Sequence, residues 1–191
     1  MSPPQRLSPI LRANIPAELL PPLGPGNADE SLRPTLEALT LETAFAGEKI
    51  ASPDAARCCL SAIWLLHGFL DESHTISQEI ATPDGSYWHG IMHRREPDYG
   101  NAKYWFRQVG AHPVFVPLAQ AAKKLALTDG AKLDPAAGFL ATQSTWDPYR
   151  FIDLCQAIAQ GKSSAVDLAS RIAREEWDLL FAYCHQKAIG V

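Results

Sequence analysis

The stretch Ser52-Pro53-Asp54-Ala-Ala-Arg-Cys-Cys-Leu-Ser-Ala-Ile-Trp-Leu-Leu-His67 decides the fold class. A serine hydroxyl placed before a proline can accept one of the free N–H groups at a helix start, and proline at the first helical position gives up no backbone bond. Asp54 adds negative charge beside the positive end of the helix. Beyond this start, Ala56, Cys58, Cys59, Leu60, Ile63, Trp64 and Leu66 are apolar nearly all round, which marks a central helix with Leu60 and Trp64 in the core. The same punctuation recurs at Thr82-Pro83-Asp84, Asp134-Pro135 and Asp147-Pro148. Four capped proline starts predict an all-α domain.

Working outward, Gly68 ends the central helix, and Asp71 opens a short one bearing Ile76 and Ile80. A second pair follows over 84–95 and 99–109, turning at Pro97-Asp98 and ending at Gly110. Another helix starts at Pro113 and runs through Val114, Leu118, Ala121, Ala122 and Leu125. The last covers about 163–188, with Val166, Ala169, Ile172, Ala173, Trp177, Leu180 and Cys184 on one face. Val114-Phe115-Val116 is the one short strand candidate, and Pro113 and Pro117 bracket it. Aligning Gly68 with Pro97 sets Ser61 on Gly90, Trp64 on His93 and Ser73 on Ala102. This cadence, with Gly90, Ala102 and Phe106, resembles part of a tetratricopeptide repeat, although the starts at Pro53 and Pro83 lie 30 residues apart rather than the 34 of that repeat. The expected architecture is a helical-repeat-like bundle of antiparallel hairpins over 35–191. Residues 1–34 hold eight of the fifteen prolines and no aromatic residue, so they read as an extended arm laid on the domain through Leu19, Leu20 and Leu23.

The chain has 191 residues, 47% hydrophobic and 20% charged, enough to bury a core without a staple. Seventeen basic against 21 acidic side chains give a formal charge of −4, which argues against a nucleic-acid partner. Apolar runs such as Ala62 to Leu66 are far short of a membrane span, and the proline-broken N-terminus has no signal-peptide core. Four cysteines, at 58, 59, 155 and 184, form no Cys-x-x-Cys; this is the pattern of a reducing cytoplasm.

Chemistry concentrates in residues 82–115, which hold half of the six histidines, two of five tryptophans and three of five tyrosines. The blocks Tyr87-Trp88-His89-Gly90-Ile91-Met92-His93-Arg94-Arg95-Glu96, Asn101-Ala-Lys-Tyr-Trp-Phe-Arg107 and His112-Pro-Val-Phe115 resemble the signature of a family of soluble bacterial and fungal proteins. Fainter similarity extends to Trp146-Asp147-Pro148 and to Glu176-Trp177 with Tyr183-Cys184. No activity is assigned to that family, so the resemblance implies no mechanism.

At 100° per residue, Ser86, His89, His93 and Glu96 fall on one stripe of a helix. Histidines at i and i+4 can share a divalent transition metal, and Glu96 can complete a two-His, one-carboxylate face, as a ligand or as the base of a hydrolytic enzyme. Position 90 is Gly, so the His-Glu-x-x-His pattern of zinc proteases is absent, and Pro97 leaves the direction of Glu96 open. The plain alternative is two histidines hydrogen-bonded inside a packed hairpin.

A second reading needs no metal. Arg94, Arg95, Lys103 and Arg107 against Glu96 and Asp98 leave two excess positive charges, and Tyr87, Trp88, Asn101, Tyr104 and His112 add donors and rings. Such a groove would hold a small anionic ligand or an acidic peptide end, with both imidazoles facing a concave, partly solvent-filled space. Its plain alternative is an internal salt-bridge network in a structural helical scaffold. His67 and His74, after the central helix, would approach His93 if the hairpins stack. Cys155 and Cys184 read as core fillers, since adjacent Cys184 and His185 diverge on a helix.

Overall fold

In the computed structural model, which describes residues 7–128 and 134–191, the capping oxygens bond as the sequence requires. Ser52 Oγ accepts Ala55 N–H at 3.3 Å, Thr82 Oγ1 accepts Gly85 N–H at 3.1 Å, and an Asp147 oxygen accepts the N–H groups of Tyr149 and Arg150. The elements are α1 (Pro9–Ala13), α2 (Arg33–Glu37), α3 (Leu41–Ala44), α4 (Pro53–Leu66), α5 (Leu70–Ser77), α6 (Pro83–Arg95), α7 (Tyr99–Val109), α8 (Phe115–Thr128), α9 (Pro148–Ala159) and α10 (Val166–Ile189). No strand occurs among the described residues, and the chain is all-α. No helix is long and apolar enough to cross a membrane.

Two elements differ from expectation. Asp134 accepts Ala136 N–H at 2.9 Å, but the turn it opens, Pro135–Ala141, is a 3₁₀ segment that buries Ala137, Phe139 and Leu140 and stops at Thr142. Val114-Phe115-Val116 enters α8 rather than a strand, because His112 and Val114 carbonyls accept the N–H groups of Phe115 and Leu118 at 3.0 Å each.

α4 and α5 form one antiparallel pair, and α6 and α7 form the next. Their cores close at equivalent positions. Ser61 and Ser73 hydroxyls meet at 2.9 Å in the first pair. In the second, a Cβ added to Gly90 would sit 2.9 Å from the Phe106 ring. α10 crosses α4 and packs on α8, while α9 packs on α7. Trp177 of α10 donates its indole N–H to the Ala62 carbonyl at 2.9 Å, fixing the crossing. Trp64 is buried, but Leu60 is only half-buried and packs at the core's edge; the centre of α4 is Cys59, Ala62 and Ile63.

The N-terminal arm is clasped rather than merely laid on. Its Leu7 and Leu11 join the common core, Leu19 and Leu23 are half-buried, and Leu20 turns out to solvent. Three side chains of the helical body hold its carbonyls. His67 Nε2 lies 2.9 Å from Asn14 O, Arg174 donates to Pro16 O at 2.9 Å and Leu19 O at 2.6 Å, and Arg95 donates to Gly24 O and Pro25 O. Carbonyls serve here because a proline-rich segment has few N–H donors to offer.

Denaturant melts should separate these roles. Ile63→Ala should cost about 2–5 kcal/mol by leaving a cavity, and Leu60→Ala distinctly less. Gly85→Ala should also destabilise, because its new Cβ would lie 2.3 Å from the Ile80 backbone oxygen, which cannot step aside as a side chain could.

Candidate metal centre

Every residue of α6 from Asp84 to Arg95 is buried, although seven of them are charged or can hydrogen-bond through side-chain atoms other than indole: Asp84, Ser86, Tyr87, His89, His93, Arg94 and Arg95. Burial makes a fixed partner valuable to each polar atom, and most have one, although His89 Nδ1 and Arg94 Nη1 have none among the described residues. On one face, His89 and His93 stack with ring centroids 4.7 Å apart, and their Nε2 atoms approach to 2.9 Å. α5 brings a third imidazole. His74 meets His89 and His93 edge-on, with centroids at 4.8 and 5.4 Å. One ring nitrogen from each of the three lies within 4.8 Å of the others.

Two neighbours set the rings. Glu96 Oε2 lies 3.0 Å from His93 Nδ1, which places the proton of His93 on Nδ1 and leaves the Nε2 lone pair facing His89. Trp105 of α7 stacks on His89 at 4.0 Å and 15°, covering its outer face. Burial, then the neighbouring His93 and His74, push His89 down to about 3. Burial also lowers His93, against the opposing pull of Glu96. Both imidazoles are thus neutral at neutral pH, the state in which histidine ligates a metal. An Nε2–Nε2 separation of 2.9 Å lets one ion reach both nitrogens at the usual Zn–N length of about 2.0–2.1 Å.

Glu96 therefore stands behind His93 rather than beside it: the carboxylate meets the far nitrogen of the ring, the position of an outer partner that orients a ligand. The third nitrogen near the pair comes from His74 rather than from Glu96. The imidazoles do not line an open groove. His89 is 2% and His93 6% exposed, because Trp105 and α5 close over them, and solvent approaches at half-buried His74 and at the Glu96 side chain. His67, at the end of α4, turns instead to the arm's Asn14 carbonyl.

The residues grouped as an anion site diverge. Tyr87 donates to Glu176 Oε1 at 3.1 Å, and Arg94 Nη2 donates to Glu176 Oε2 at 2.5 Å, both inside the core against α10. Trp88 packs on Trp177. Arg95 serves the Leu65 carbonyl and the arm. Asp98 caps α7 by accepting Asn101 N–H at 3.0 Å. Lys103 reaches Asp153 of α9 at 2.5 Å, and Arg107 lies over the exposed Tyr104 ring at 5.6 Å. His112 is buried against Asp84. Its Nδ1 accepts Val114 N–H, so Nε2–H donates to the carboxylate at 3.0 Å, while Lys187 donates to the other oxygen at 2.7 Å. Burial raises Asp84, but His112 and Lys187 outweigh it and hold the acid below its ordinary value. The side chains whose partners are described point to at least three faces and do not converge on one groove.

No family model, curated protein or solved structure matches the chain.

Of the ion pairs, the enclosed one should dominate stability. Glu176→Ala should cost about 3–5 kcal/mol in urea unfolding, because it strands the Arg94 guanidinium, whereas Lys103→Ala at its exposed pair should cost under about 1 kcal/mol.

Proposed function

We propose that the chain binds one divalent transition-metal ion through His74, His89 and His93, with Glu96 orienting His93. The observation that supports this reading is the convergence of three imidazole nitrogens within 4.8 Å from two different helices. Neutral rings, nitrogen-only donors and a carboxylate behind one ring suit zinc or a neighbouring first-row ion. The ion ties α5 to α6, and so joins the two hairpins. Enclosure of His89 and His93 favours a small ion over a substrate-sized anion or acidic peptide, whose charged partners are already engaged with Glu176, Asp153 and backbone carbonyls. Three protein ligands leave a fourth position for water on the His74 and Glu96 side, which is the requirement of the hydrolytic variant of this reading.

The second reading is a structural helical scaffold, in which His89 Nε2–H simply donates to His93 Nε2. The 2% exposure of His89 favours it. Four free, buried cysteines fit either reading in a reducing, cytoplasmic setting.

Titration calorimetry of chelator-stripped protein with zinc separates the two readings. Binding at one ion per chain, weakened in His74→Ala and in His89→Ala and lowered about 10–100-fold in Glu96→Gln, supports the centre. Zinc binding no tighter to the wild type than to His89→Ala would leave the scaffold. Zinc should also raise the melting temperature of the wild type, since it binds the folded chain.

A further inference from the structure

α8 packs its inner side on α10 and leaves a ridge and a groove on the outside. At 100° per residue, Val116, Gln120, Lys123 and Leu127 stand in one outward stripe. The two ends of that ridge are apolar and open to water, Val116 at 52% and Leu127 at 62% exposure. Beside it, between α8 and α10, runs a groove of about 420 Å³. Its walls include Pro117, Ala121, Lys124 and Leu125 from α8 and Glu175 and Leu179 from α10.

The charges of this surface are unmatched as well. Neighbouring charges on α10 are paired, Arg171 with Asp167 and Arg174 with Asp178, at 3.0 Å each. The side chains of Lys123, Lys124 and Glu175 have no such partner among the described residues. Lys124 and Glu175 face the same groove from its two walls without closing on each other. An occupant must therefore bring apolar side chains, a cation for Glu175 and an anion for Lys124. This surface carries that same set itself. Helices pack ridge into groove, and a two-fold pair requires one patch that is complementary to itself.

We propose that the α8–α10 face is a two-fold interface for a second copy of this chain, with the two α8 helices antiparallel and each ridge seated along the other's groove. Positions 116 and 127 are equidistant from the point between Ala121 and Ala122, so an axis there sets Val116 level with the partner's Leu127. The small Ala121 side chain at that point lets the two backbones approach. Lys124 then meets the partner's Glu175, and the symmetry makes this pair twice. A foreign helix would fill the groove and leave the ridge bare, whereas a second copy covers both. The interface is separate from the histidine cluster and does not depend on a metal there.

Sedimentation equilibrium of the full-length chain tests this, with a chelator present so that no metal bridges two chains. At about 100 μM, above the micromolar dissociation constant of a modest pair, the mass should be twice that of the chain. Leu127→Glu changes a side chain already in solvent, so it should keep the wild-type helical circular dichroism and weaken the pair about tenfold or more. Lys124→Glu sets a carboxylate against the partner's Glu175 and should weaken it about tenfold; adding Glu175→Lys to the same chain exchanges the two signs and should restore it. A monomer at this concentration would overturn the proposal. A dimer left at wild-type strength by both Leu127→Glu and Lys124→Glu would overturn it equally, because it would be built on another face.

Discussion

A helix carrying His93, Arg94 and Arg95 in its last turn is costly to bury unless its charges meet fixed partners, and that requirement shapes the rest of the molecule. Glu176 exists at the centre of α10 to meet Arg94 and the Tyr87 hydroxyl. The Leu65 carbonyl near the end of α4 meets Arg95. α5 and Trp105 close over the imidazoles. An apolar α6 would pack against many neighbours in many registers. This one has its rotation set by polar partners on each side, so α10, the end of α4 and the arm take their positions from it. The pairing is a constraint on arrangement more than a source of net stability, since taking both charges out of water offsets most of their attraction.

The all-α class was legible because helix starts are local chemistry. Ser52, Thr82 and Asp147 each satisfy N–H groups within three residues, so a short window of sequence contains both donor and acceptor. Where the outcome depends on what lies further off, the same signal underdetermines the element. Asp134-Pro135 opens a 3₁₀ turn, since the segment after it buries Phe139 and Leu140 and turns at once toward α9. Leu60 sits on an apolar stripe as convincing as that of Ile63, yet α4 turns it to the edge, because α10 crosses at Ala62. The arm's docking leucines could not be ranked either. Leu11 is enclosed and Leu20 is not, and the clasps that decide this come from His67, Arg95 and Arg174, remote in the chain.

The site shows the same division. The i, i+4 spacing of His89 and His93 placed both rings on one face, and the stacked pair lies there. The third imidazole comes from α5, and no spacing within α6 could reveal it; only the packing of one hairpin on the next does. Glu96 meets His93 at Nδ1, and its direction was left open by the sequence because it depends on how the chain leaves the helix before Pro97. The excess of positive charge over residues 94–107 resembled a ligand groove for a related reason. The partner of Arg94 is 82 residues away, and that of Lys103 is 50. One signal was available in the sequence. Glu176 lies between Ala173 and Trp177 on the apolar stripe of α10, and a carboxylate in that place demands a buried cation.

The two faces of the α6 terminus carry opposite electrostatic problems. At the histidines, His89 and His93 turn their Nε2 atoms toward each other at 2.9 Å, where one proton can be shared. At Arg94 and Arg95, donors outnumber carboxylate acceptors, and Arg95 turns to backbone carbonyls. Both follow from packing a polar helix end between four neighbours that offer mainly carbonyls and apolar surface. Side chains alone balance the Arg94–Glu176 pair and the Asp84–His112–Lys187 cluster, where each carboxylate oxygen has a donor. At the end of α6 the balance draws on backbone as well, through the Leu65, Gly24 and Pro25 carbonyls that Arg95 holds.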